Sequence, residues 1–259
     1  MLNSFAKRIA IAGFPVVALS SSAFAHLSYS NRNFGSFTGL EPQSFTITGQ
    51  TVPNNWGWAD GTDADFAHSH EIRFFRFNLQ ITTSVTITVA AVDALALLPA
   101  FSIYSGLAHM PAQGLDYETP VVFSYLATLP GPAKEGAFMA TGNWTLGNDN
   151  NISVSEFSAF TYVGNAADGT AANYGTAPGV NGDGNADGTV TGTFVLGPGD
   201  YTVGVGGANY FSQGVDAVAD GVTLTVLAVP VPEPTTGVLA ATSMLAVGMM
   251  RRRKICLNS

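Results

Sequence analysis

The chain has 259 residues, enough for one sizeable domain or two small ones at roughly 150 residues each. Charged residues make up 11% of it, against about 25% in an ordinary soluble domain, while 46% is hydrophobic and 29 residues are Gly. That balance excludes a disordered chain, a coiled coil and a helical bundle.

The formal net charge of −8 is unevenly spread. Six of the ten bases sit at the ends: Lys7 and Arg8, then Arg251, Arg252, Arg253 and Lys254. Between His26 and Pro230 only Arg32, Arg73, Arg76 and Lys134 face 17 acids, a net of −13. A nucleic-acid-binding surface needs clustered Lys and Arg to neutralise phosphates, so this middle excludes that class.

Residues 1–25 predict a secretory signal helix. Lys7 and Arg8 give a positive start, 9–19 an apolar run, and Ala23-Phe24-Ala25 a small-x-small cleavage site. Signal peptidase would then leave His26 as the first residue. The exported body, 26–230, has no cysteine, because the lone Cys256 lies beyond the terminal arginines. It must hold its fold without disulfides, and about 205 residues suffice to bury a core unaided.

Within the body the first expected strand is 44–48. Residues 51–70 follow without strand patterning, rich in Gly, Asp, Asn and Ala. This stretch carries Trp56 and Trp58, the acidic run Asp60, Asp63 and Asp65, and then His68, His70 and Glu71. On a strand His68 and His70 would face one side, since side chains alternate. Such a pair suits a transition metal. The α-amine and imidazole of a processed His26 would add a chelating pair of the kind copper takes.

The clearest strand signal is 72–89. Phe75, Phe77, Leu79 and Ile81 alternate with polar residues, Thr82-Thr83-Ser84 turns the chain, and Val85, Ile87 and Val89 alternate with Thr86 and Thr88. Further strands are expected at 101–104, 121–126, 189–196, 201–205 and 222–229. Gly and Pro punctuate them, and Asp-Gly occurs five times, at 60, 168, 183, 187 and 220, where Gly supplies the positive φ of tight turns. No long apolar pattern at helical spacing interrupts the body. The reading is an all-β fold, an antiparallel β-sandwich or jelly-roll-like domain, with an N-terminal signal helix and a C-terminal transmembrane helix.

A second span without strand patterning is 164–188. Its Asp183-Gly-Asn185-Ala-Asp187-Gly188 carries oxygen ligands at alternate positions with a glycine for the sharp turn, as a calcium loop does. Asp183, Asn185 and Asp187 would give side-chain oxygens and Thr189 a backbone carbonyl. The twelfth position is Phe194, so a distant carboxylate such as Asp200 would have to complete the shell. Trp56, Trp58 and Trp144, with Tyr162, Tyr174 and Tyr210, suggest a sugar-stacking platform. No nucleophile elbow or phosphate-binding helix is present, and acid pairs such as Asp116 and Glu118 are unremarkable among 17 acids, which argues against an enzyme.

Val231-Pro232-Glu233-Pro234 is stiff and non-helical. The 16 residues of 235–250 carry no charge and would rise about 24 Å as a helix, a short span for a ~30 Å hydrocarbon core. Arg251, Arg252 and Arg253 would stay in the cytoplasm by the positive-inside rule, with 255–259 as a tail. Pro232-Glu233-Pro234, the apolar helix and the arginine cluster over 231–254 together resemble the PEP-CTERM sorting signal. That resemblance implies a Gram-negative source, cleavage near Pro-Glu-Pro by an exosortase, and delivery to the envelope or an exopolysaccharide matrix. Phe75-Arg76-Phe77, the run 85–89, Pro99 to Tyr104 and Leu196 to Val203 also resemble, in order, the bacterial pre-peptidase C-terminal type of β-sandwich. It implies a non-catalytic module, of a kind that includes calcium- and matrix-binding examples.

The expected function is an exported surface or matrix protein with a structural or adhesive role, stabilised by calcium. The alternatives are a copper-binding surface protein using His26, His68 and His70, and a secreted polysaccharide hydrolase.

Overall fold

A computed structural model describes residues 27–39, 41–58, 66–108, 119–120, 137–147, 158–175, 179–213, 215 and 218–232. The signal peptide with Ala23 and Ala25, His26, and everything from Glu233 onward lie outside them. So do Asp60, Asp63, Asp65, His109, Asp116, Glu118 and the expected strand 121–126.

The strands are β1 (Asn33–Phe37), β2 (Gln43–Val52), β3 (Phe66–His68), β4 (Arg73–Leu79), β5 (Thr83–Ala91), β6 (Pro99–Ser105) and β7 (Thr119–Pro120). Then come β8 (Ala137–Met139), β9 (Trp144–Gly147), β10 (Ser158–Ala167), β11 (Thr189–Leu196), β12 (Gly199–Gly207) and β13 (Asp220–Pro230). A single helical turn, α1 (Ala171–Tyr174), follows β10. The chain is all-β, and two main sheets make a sandwich. One runs β1-β4-β12-β6-β10-β9-β7 and the other β11-β5-β13-β2, while β3 and β8 pair apart. Every pairing is antiparallel except β1 with β4, which is parallel.

The first core lies between the two sheets. In β5 the alternation buries Val85, Ile87 and Val89, and in β13 it buries Val222, Leu224, Val226 and Ala228. Phe75, Phe77, Phe101, Ile103, Val203 and Val205 meet them from the large sheet. Each such side chain contributes about 1.5–3 kcal/mol on full burial. The outward face of the small sheet is threonine: Thr191, Thr88, Thr225 and Thr46 stand in register across all four strands. Their hydroxyls pair across strands, Thr88 with Thr191 at 3.0 Å and Thr46 with Thr225 at 2.9 Å.

The large sheet is buried on its other face too, which period-two reading does not anticipate. Ile72, Phe74, Ala100, Tyr104, Phe160 and Ala167 carry a second core, covered by Leu27, Tyr29, Trp58, Phe138, Trp144 and Tyr174. Trp144 stacks on Phe160 at 4.1 Å between ring centroids. The glycines of β12 make room for this layer. A Cβ on Gly206 would come within 2.5 Å of Ile72 Cγ2, so only glycine seats that side chain. Half of the expected sugar platform is therefore core: Trp58, Trp144 and Tyr174 are buried, with Trp58 donating from Nε1 to Ser102 Oγ at 3.0 Å, while Trp56, Tyr162 and Tyr210 are half-buried.

Candidate functional site

The acidic loop ahead of β11 is built by two copies of one tetrapeptide. Ala167-Asp168-Gly169-Thr170 closes β10 and Ala186-Asp187-Gly188-Thr189 opens β11. They meet through Asp168, whose side chain is 0% exposed. Its Oδ1 accepts from the Asp187 N–H at 3.1 Å and its Oδ2 from the Gly188 N–H at 2.7 Å. Burial pushes the Asp168 carboxyl above its ordinary range, the two N–H bonds oppose the rise, and Asp183 and Asp187 add to it. The sequence shows Asp168 only as an Asp-Gly turn; the repeated tetrapeptide was the available signal.

The expected calcium set lies on the loop ahead of β11 and at the first residue of that strand. Asp183, Asn185 and Asp187 are all exposed. Asp183 Oδ1 accepts from the Gly169 and Asn185 N–H groups at 3.1 and 3.0 Å, and Asp187 Oδ1 accepts from the Thr189 N–H at 3.1 Å. Each carboxylate thus spends its Oδ1 on closing the turn. Thr189 is the first residue of β11, paired with Ala90. Asp200 lies past the far end of that strand, where Oδ1 accepts from Asn78 Nδ2 at 2.8 Å. Among the described residues no three His, Cys, Asp or Glu side chains group to hold a metal ion.

The histidine segment has a different geometry from the one expected. His68 ends β3, opposite Ala137 of β8, and His70 lies in a 3₁₀ turn, Ser69–Glu71. The same-face argument for a continuous strand therefore does not hold across 68–70. Glu71 beside them is half-buried and contacts Asn54 Nδ2. Burial raises its carboxyl above the usual range, against the opposing Asn54 hydrogen bond and the Arg73 charge.

The N-terminal segment is fastened to this same edge. Arg32 donates from Nη2 to the Ser28 carbonyl at 2.8 Å and from Nε to the Phe74 carbonyl at 3.0 Å. One guanidinium thus ties the second residue after His26 to the fourth residue after His70. Leu27 is buried in the cluster that holds Ile72 and Phe138, and Phe138 lies opposite Ala67 in the β3–β8 pair. Burial, and next the nearby Arg73 charge, lower the Arg32 guanidinium below its ordinary value. Sequence reading gave Arg32 no role, since a lone arginine carries no motif. Pro232 is exposed just past β13, while Glu233, Pro234 and Arg251 to Arg253 lie outside the described residues. Among the described residues no helix is long and apolar enough to cross a membrane.

No family model and no curated protein matches the chain. Among solved structures, one similar chain is CorA of Methylomicrobium album BG8, described as a surface-associated copper-binding protein important in copper acquisition. It is 15% identical with a TM-score of 0.47, over 74% of this chain and 96% of that one. Another is MopE of Methylococcus capsulatus, a secreted protein in which an oxidized tryptophan facilitates copper binding. It is 14% identical with a TM-score of 0.39, over 75% of this chain and 86% of that one. At that distance neither likeness assigns a ligand here.

Proposed function

We propose that this chain is an exported, non-catalytic surface protein that binds copper where β3 meets the Ser69–Glu71 turn. His68, His70 and the amine and imidazole of His26 are the ligands. The observation that carries the reading is the Arg32 clamp, which holds Ser28, two residues after His26 in the chain, to Phe74, four residues after His70. From Ser28 back to His26 is two residues, and from Phe74 back to His70 four, spans of at most about 7 and 14 Å. The donor set is right for the metal, because neutral imidazole and amine nitrogens suit Cu(II) better than the oxygen ligands calcium prefers. Signal peptidase creates the chelating terminus, and sorting by an exosortase at Pro232-Glu233-Pro234 places the body outside the cell.

The test uses protein recovered from its host, with intact mass establishing His26 as the first residue. Titration with Cu²⁺ should load one ion per chain with nitrogen hyperfine structure in its electron paramagnetic resonance spectrum. His68→Ala or His70→Ala should abolish it, and a residue placed before His26 should weaken it. Binding indifferent to all three changes would overturn the reading. A structural role in an exopolysaccharide matrix is the second reading, favoured by the polar row Ser36, Asn78 and Asp200 that crosses β1, β4 and β12 of the large sheet.

A further inference from the structure

The aromatic layer that covers the second face of the large sheet stops at Tyr29. Beyond it the same face turns polar. Two in-register rows cross three strands: Asn33, Arg76 and Thr202, then Ser36, Asn78 and Asp200. All of these but the buried Thr202 line a groove of about 350 Å³, flanked by Leu107 and Gln80. That volume falls at the small end of the range for ligand pockets and suits one or two sugar rings.

Arg76 is the unusual member. Its guanidinium carbon lies 5.5 Å from the centroid of the Tyr29 ring, so a stacked ring fixes its plane. Its Nε is buried and has no hydrogen-bond partner. Tyr29 is itself fixed. It accepts from the Ala108 N–H at 3.1 Å and meets Thr202 Oγ1 at 2.7 Å, while Thr202 donates to the Gly106 carbonyl at 2.7 Å. With the Thr202 proton committed to Gly106, Tyr29 is the donor in their shared bond. No ion pair among the described residues joins Arg76 to Asp200 across the groove. The corner thus presents a guanidinium without a direct ion-pair partner among these residues, and beside it the Asn78 amide bonded to Asp200 Oδ1 at 2.8 Å, with Asp200 Oδ2 left over.

A fixed guanidinium takes a carboxylate. A row of amide, carboxylate and hydroxyl groups takes vicinal hydroxyls, since each sugar hydroxyl both donates and accepts. We propose that this corner of β1, β4 and β12 binds a hexuronate unit of an acidic saccharide. The sugar carboxylate faces Arg76, its ring hydroxyls meet Asn78, Asp200 and Ser36, and one C–H face lies on Leu107. The site shares no ligand residue with the copper reading and stands or falls without it.

The experiment titrates the full chain, in detergent micelles, with oligogalacturonate and with the same oligomer methyl-esterified, followed by calorimetry. The acid should bind saturably, and raising the salt should weaken it. The ester should bind at least about tenfold more weakly, as should the acid to Arg76→Gln, the expectation for losing one charge-assisted pair. Asp200→Asn, an exposed change that keeps the side-chain shape, should weaken the acid by a smaller factor, and it serves if Arg76→Gln fails to fold. Absence of saturable binding by the acid, equal binding of the ester, or undiminished binding by a folded Arg76→Gln or Asp200→Asn would each overturn the proposal.

Discussion

Asp168→Ala is the sharpest test of how the acidic corner is held. The substitution removes the acceptor of two backbone N–H groups, those of Asp187 and Gly188. Gly188 is buried, so no water replaces the lost oxygen there. A hydrogen bond to a charged group contributes about 1.5–3 kcal/mol, which for two bonds sets the upper range of the loss. The carboxylate is itself disfavoured by burial, as its raised pKa records, and deleting it recovers part of that cost. The expected net loss is about 2–4 kcal/mol, or a fall in Tm of about 4–16 °C for a body of this size. Thermal unfolding of the full chain at pH 7, followed by circular dichroism, reads it directly. The same melt with excess Ca²⁺ or with chelator should leave the wild-type Tm unmoved, because among the described residues no third acidic side chain groups with Asp183 and Asp187 to hold an ion. A Tm loss under about 1 °C, or a calcium-dependent rise in wild type, would refute the reasoning.

Trp144→Ala should lose about 3–5 kcal/mol, since it empties the centre of the second core between Phe160 and Phe138, and denaturant unfolding checks it. Glu71→Gln tests pH linkage. Because burial raises the folded-state pKa of Glu71, wild type should lose stability relative to the variant as pH climbs from 4.5 through that raised value, and the two should differ least below 4.5. Paired melts at pH 4 and pH 7 read the sign, and a gap that widens toward acid contradicts it.

The strands facing one core were legible in the residues. Alternation of apolar and polar side chains marked β4 and β5 with the turn between them, and 189–196 matches β11 residue for residue. Burial on both faces did not hide β6 and β12, whose cores 101–104 and 201–205 were expected, but it hid β10. In β10, Ala166 joins the first core and Phe160 the second, with Gly164 and Asn165 between, so no period-two signal survives and the strand reads as loop. β1 escaped for another reason: it is short, carries Gly35, and gains its place only by a parallel pairing that no hairpin turn announces. The candidate sites divide in the same way. His68 and His70 stood out by type, but their relative geometry depended on where β3 stops. Asp168 owes its role to partners 19 and 20 positions away, Arg32 to Phe74, 42 away, and Arg76 to a strand neighbour, Thr202, 126 away, separations beyond any local pattern.

The scarcity of bases has a consequence for survival outside the cell. Trypsin-like proteases need an arginine or lysine on a segment that can be drawn out and threaded through a cleft. Among the described residues the three arginines are Arg32, Arg73 and Arg76, and none is fully exposed. Arg73 and Arg76 belong to β4, flanked by β1 and β12, and the Arg32 carbonyl accepts from the Arg76 N–H at 3.0 Å. Cutting beside any of them requires the sheet to open first, so digestion at these points proceeds only as fast as the sandwich comes apart.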